Sequence, residues 1–391
     1  MKRFIVWLFV AITCCSLPVM AQNDSVPFLY RSHLYLRSTI NDTVNLNIVF
    51  DTGGSDIFGV DSVWLKHSNW IPKYFGKASM GSGDRRIIVP LVVDYTKVVI
   101  GNIEEYYNRV PVFKLRDVVD CHVDGIWGIK NIAEYPLEIN YEKGYLKRYK
   151  TGKPNTEGYE RMPIRYENDR IMLQVETVIG GTVIRGWYLM DTGAGGSVEF
   201  TSKTTSEYRL DTISSKRHFI DWSNYGLGNK KQEGIVKMMS DRIVLGNDTF
   251  IEKPVKYIPE GIGAFGDKPY LGIIGNDIWS NYNMIVDAKN SVLYLRRFAS
   301  DEAPTPTYDY SFRNRTDIGS GWIVSMLYRD GEAANAGMAL GDTIKAVNGR
   351  PVSDYSWEEE HNLSDTPRQV LDIAGTDGQE KRIVLEAKLL W

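Results

Sequence analysis

The stretch LNIVFDTGGSDIF, Leu46 to Phe58, decides the fold. Leu46, Ile48, Val49 and Phe50 are apolar and run straight into Asp51-Thr52-Gly53. Asp and Gly usually close a strand, so one such triplet reads as a surface turn. The unit returns, however. Trp187-Tyr188-Leu189-Met190 leads into Asp191-Thr192-Gly193 in the same way.

Three further features recur in the same order and at nearly constant offset. Gly81-Ser82-Gly83-Asp84-Arg85-Arg86 matches Gly226-Leu227-Gly228-Asn229-Lys230-Lys231. Val98-Val99-Ile100-Gly101-Asn102 matches Ile243-Val244-Leu245-Gly246-Asn247. Gly125-Ile126-Trp127-Gly128 matches Gly272-Ile273-Ile274-Gly275. The pattern predicts two homologous lobes, 26–150 and 158–300, joined by the linker Thr151–Asn155. Segments such as Arg86–Val93, Lys97–Ile100, Ile171–Ile179 and Val292–Arg296 are rich in Val, Ile and Tyr, so both lobes read as β. Asp301–Pro306, with two prolines, reads as a second linker. Residues 305–391 differ in character: a strand, an Ala-rich helix near Ala333, a strand at Ile344–Val347 and an Asn348-Gly349 hairpin follow one another.

The chain has 391 residues, 43% hydrophobic, enough for two or three cores. A net charge of -3 and no long basic run argue against a nucleic-acid partner. Lys2 and Arg3 precede a short apolar run that ends at Val19-Met20-Ala21, the pattern of a secretory signal peptide over 1–21. No later segment approaches the ~20 apolar residues of a membrane span. The expectation is an exported protein of the periplasm or cell envelope. Lipid anchoring at Cys14 or Cys15 is the lesser alternative, because bulky Ile12-Thr13 precedes them. The mature chain keeps only Cys121, which excludes an internal disulfide.

Two Asp-Thr-Gly turns in duplicated lobes suggest specific chemistry. Equivalent residues near a pseudo-twofold axis meet, so Asp51 and Asp191 are expected to face each other across one site. Two adjacent carboxylates cannot comfortably both ionise, so they share a proton. One can then act as base on water while the other donates to a carbonyl. Thr52 and Thr192 offer hydroxyls to brace the loops, and Gly53 and Gly193 allow close backbone approach. Gly81, Ser82, Gly83 and Gly226, Leu227, Gly228 are candidate hairpin tips over the cleft. Their alternative reading is as plain β-turns.

With these residues the chain resembles the retropepsin/pepsin-like aspartic proteases, in a bilobal single-chain form, over about 26–300. The resemblance implies Asp51 and Asp191 as a catalytic dyad with water as nucleophile. It also implies that the segments ending at Gly128 and Gly275 thread behind the active-site loops. Residues 305–391 resemble a PDZ domain of the bacterial envelope type, and the whole resembles aspartyl proteases of Bacteroidetes-like bacteria. Gly54 departs from the Ser or Thr that pepsins favour after the triplet, and Ala194 is ordinary for retropepsins. Tyr308–Phe312, where a PDZ domain would hold a terminal carboxylate, lacks glycine, so strand addition is the mode left open there.

The expected activity is that of an exported endopeptidase acting on polypeptide, with a further peptide or protein ligand at the PDZ-like part. No metal or cofactor is required, and one chain supplies both aspartates, so a monomer suffices. The alternative is a non-catalytic envelope protein that binds peptides in the same cleft. The five histidines, His33, His67, His122, His218 and His361, show no metal spacing and read as ordinary surface or satisfied residues.

Overall fold

A computed structural model describes residues 25–54, 57–82, 85–128, 134–227, 230–259, 265–300 and 305–391. The signal-peptide segment 1–21, the tip residues Gly83 and Gly228, and most of the second linker lie outside the described residues. The described chain is mainly β, with parallel and antiparallel ladders mixed and only short helices.

The opening stretch is a central strand. Val44–Phe50 pairs antiparallel with His33–Ile40 and parallel with Gly125–Trp127. Gly125–Trp127 pairs in turn with Phe58–Asp61. Leu46 to Phe50 are all buried, as befits a strand covered on both faces. The second half repeats this arrangement. Thr182–Met190 pairs antiparallel with Arg170–Ile179 and parallel with Gly272–Ile274, which pairs with Val198–Phe200. The repeated sequence features therefore occupy matching sheet positions.

One antiparallel sheet joins the halves. Its strands run in the order Ser25–Arg31, Tyr145–Arg148, Leu137–Asn140, Tyr282–Asp287, Val292–Arg297, Glu160–Glu167. Leu137 faces Val286 and Asn140 faces Asn283 at its middle. A single hydrophobic core, with Phe50, Trp127, Tyr188 and Trp279 fully buried, runs through both halves. Burial of this apolar surface is the main force holding them as one body.

The C-terminal region has a separate core around Trp322, Val324, Leu371 and Ile383. Phe312 stacks on Trp322 at 4.4 Å. Asn348 and Gly349 adopt φ of 52° and 79°, the left-handed pair that a two-residue hairpin needs, and Val347 pairs with Arg350. This region is tied into the second half by sheet pairing: Ile220, Asp221 and Trp222 pair with Tyr328, Leu327 and Met326. No helix among the described residues is long and apolar enough to cross a membrane.

Candidate active site

The two Asp-Thr-Gly loops lie at the ends of matching strands. Asp51 N donates to Trp127 O at 2.9 Å, and Asp191 N donates to Ile274 O at 3.0 Å. Each aspartate is thus pinned by the strand that runs beside its own. Behind these loops the glycines allow contact that a side chain would forbid. A Cβ on Gly128 would lie 2.6 Å from Gly54 O, and one on Gly275 would lie 2.6 Å from Ala194 O.

The loops are bolted together by their threonines, both fully buried. Thr52 N donates to Thr192 Oγ1 at 3.1 Å, and Thr192 N donates to Thr52 Oγ1 at 2.9 Å. Each hydroxyl then donates across, Thr52 to Met190 O and Thr192 to Phe50 O, both at 3.0 Å. Asn276 adds a further tie, since its Nδ2 donates to Thr192 O at 2.7 Å and to Ser32 O at 2.8 Å.

This frame brings the carboxyls of Asp51 and Asp191 into mutual hydrogen-bond contact. Gly53 and Gly193 are required by that closeness. A Cβ on Gly53 would lie within 2.6 Å of all three Asp191 carboxyl atoms, and one on Gly193 would lie 2.5 Å from Asp51 Cγ. The pair is asymmetric. Asp51 Oδ1 accepts from Gly53 N at 2.8 Å and from Gly54 N at 2.9 Å, whereas among the described residues Asp191 Oδ1 has one backbone donor, Gly193 N at 2.8 Å. Burial raises the pKa of both carboxyls. For Asp191 the charge of Asp51 raises it further, well above the carboxylate range. For Asp51 the amides of Gly54 and Gly53 pull the other way. The shared proton therefore resides on Asp191, and Asp51 carries the charge.

Both aspartates face a cavity of about 1030 Å³ that also takes in Gly226, Leu227 and residues of the C-terminal region. Leu227, at the turn of the hairpin of Arg217–Tyr225 and Lys230–Met239, packs on the same buried cluster of Tyr35, Val49, Phe113 and Ile126 as Met80, Ile87 and Trp357. Gly226, at φ 62°, stands at the same turn. Gly81 and Ser82 end the first strand of the other hairpin, Phe75–Ser82 with Arg85–Val92, which reaches the cavity through Ile87. The C-terminal region contributes part of the cavity lining, Trp357 and Glu360 among it. Trp357 packs edge-on against Tyr35 at 4.8 Å and stacks on His122 at 4.4 Å. His122 Nε2 meets Glu360 Oε2 at 3.3 Å. Arg313 donates to Val118 O, Ser223 Oγ and Asn224 O at 2.7, 3.1 and 2.6 Å.

His33 is a satisfied histidine, as one of the two sequence readings had it, but its place beside the dyad was missed. It lines the cavity beside Asp51, and its Nε2 lies 3.1 Å from Gly193 O, so that nitrogen carries the proton and donates. Burial lowers its pKa while the charges of Asp120 and Asp51 oppose that effect. The signal was present in the sequence only through register: a residue just before Leu34, the partner of Phe50, sits beside Asp51. Asp124 is structural, accepting from Asn47 N and from Arg116 at 2.7 Å each. No protein-family model matches the chain, and no curated protein sequence is significantly similar to it.

Proposed function

We propose that this chain is an exported aspartic-type endopeptidase that cleaves peptide bonds with a water molecule activated by Asp51 and Asp191. On this reading 26–150 and 158–300 are two aspartic-protease-like lobes, and 305–391 is a PDZ-like domain. The observation that carries the proposal is the contact between the two carboxyls on the floor of a large cavity, each on a threonine-braced loop. Ionised Asp51 accepts a proton from water as its oxygen attacks the peptide carbonyl carbon. Asp191 gives its proton to the carbonyl oxygen. The tetrahedral gem-diol then collapses: one hydroxyl returns its proton to Asp191 as the C=O re-forms, the C–N bond breaks, and the leaving nitrogen takes the proton held on Asp51. The mixed apolar and polar lining of the cavity suits a peptide backbone with side chains.

The test is cleavage of a mixed peptide library by the mature chain, by Asp51→Asn and by Asp191→Asn. Loss of cleavage in both variants supports the dyad, and equal cleavage by all three overturns it. One observation favours the second reading, a non-catalytic peptide-binding envelope protein: Trp357 and Glu360 of the C-terminal region line the same cavity as the dyad. Peptide affinity without turnover from acid to neutral pH is the result that would select it.

A further inference from the structure

Each strand that flanks an aspartate-bearing strand carries a basic residue at the cavity. Leu34 pairs with Phe50, so the next rung places His33 against Asp51. Thr182–Met190 and Arg170–Ile179 are paired as far as Leu189 with Met172, and Arg170 begins its strand just beyond that end. The position of Arg170 is fixed locally. Asn168 and Asp169 take φ of 51° and 57° in a two-residue turn, with Glu167 paired to Arg170. His33 and Arg170 both line the cavity that holds the dyad.

The two basic residues are used differently. His33 spends its Nε2–H on Gly193 O. Arg170 Nε is buried without a hydrogen-bond partner, and no carboxylate among the described residues forms an ion pair with it. Arg31 Nε and Trp222 Nε1, on the same cavity, are likewise buried and unpartnered. All three are donors. Buried donors are rarely left unpaired in a working site, so whatever fills this cavity brings acceptors. A guanidinium is matched best by a carboxylate, which takes two parallel N–H bonds. Among the acidic side chains on the cavity, Glu199 is already paired, with Lys256 at 3.1 Å.

We propose that Arg170 is a specificity-determining residue that selects polypeptides carrying an Asp or Glu side chain next to the bond lying over the dyad. The cleavage half of this statement rests on the endopeptidase reading, and the binding half does not. The gain expected from one such charge-assisted pair is about tenfold in affinity or in kcat/KM.

The test uses matched peptides that differ only in Glu, Gln or Lys at each position flanking the central bond. Cleavage is followed with the mature chain, and binding is followed by fluorescence anisotropy with Asp51→Asn. At one position Glu is expected to exceed Gln about tenfold. Arg170→Gln is expected to erase that difference, Arg170→Lys to keep part of it, and Arg170→Glu to turn the preference to Lys. A flat response at every position, or a Glu preference that survives in Arg170→Gln, overturns the proposal. Glu-selective, Arg170-dependent binding with no turnover leaves the selection standing and removes the endopeptidase reading. Failure of every peptide to bind or to be cleaved removes both.

Discussion

Thr52 and Thr192 each donate a backbone N–H to the other's side-chain oxygen, at 3.1 and 2.9 Å, from positions fully shielded from water. Neither loop could hold its aspartate alone, because each loop satisfies the buried amide of its counterpart. Thr192→Val is therefore expected to leave Thr52 N unpaired and to destabilise the fold by about 1–3 kcal/mol. Thr192→Ser, which keeps the hydroxyl, is expected to lose much less. Urea unfolding of the two variants against the parent chain checks this.

Gly53→Ala separates geometry from stability. Its Cβ would collide with the Asp191 carboxyl, a flexible group that can swing aside but only out of contact with Asp51. A displacement near 1 Å can cost about a hundredfold in rate. The expected result is a loss of that order in kcat, with the far-UV circular dichroism and melting temperature little changed.

Gly54 sits directly beside the Asp51 carboxyl. A Cβ there would lie 3.2 Å from Asp51 Oδ2, close but at the edge of a carboxylate facing open cavity. Gly54→Ser is expected to fold and to place a hydroxyl donor beside Asp51. A donor to the charged form lowers a carboxyl pKa. The acid limb of the pH–rate profile is thus expected to move to lower pH, read from kcat/KM across pH.

The dyad also makes stability depend on pH. Burial, and then the charge of Asp51, holds the Asp191 pKa well above the carboxylate range. Folding therefore takes up a proton at pH values above the unfolded pKa of about 4, and stability falls as pH rises from there towards the raised pKa. Asp191→Asn removes this penalty. Its gain over the parent chain is expected to be present at neutral pH and absent below pH about 4. Denaturation midpoints at the two pH values decide it.

Arg313 tests how the C-terminal region is held on the cavity. Its guanidinium serves Val118 O, Ser223 Oγ and Asn224 O across two other parts of the chain. Arg313→Met is expected to leave those acceptors unpaired and to raise hydrogen exchange in Val118–Asp120, Ser223–Tyr225 and the paired strand Trp322–Tyr328. An unchanged exchange pattern would mean that the pairing of Ile220–Trp222 with Met326–Tyr328 holds the region by itself.

Much of the site could be read from the chain because its parts are local. An apolar run that ends in Asp-Thr-Gly specifies a buried strand with a carboxylate at its tip, and repetition of the unit implied a partner. Val44–Phe50 and Thr182–Met190 bear out the strands that precede the two triplets. His33 and Arg170 were not legible. Strand periodicity tells which face a residue takes, but not which residue of another strand it meets. Trp357 and Glu360 were further out of reach, since they approach Tyr35 and His122 only after the C-terminal region docks.

The sequence by itself determined where the two carboxylates end their strands, for that depends on residues adjacent in the chain. Only the tertiary structure decided that, among the described residues, Asp51 has two amide donors where Asp191 has one, that Arg170 brings a buried Nε without a partner to the same cavity, and that the C-terminal region lines it. Those features arise from register and docking between distant segments, where burial and charge set the chemistry and chain order leaves no mark.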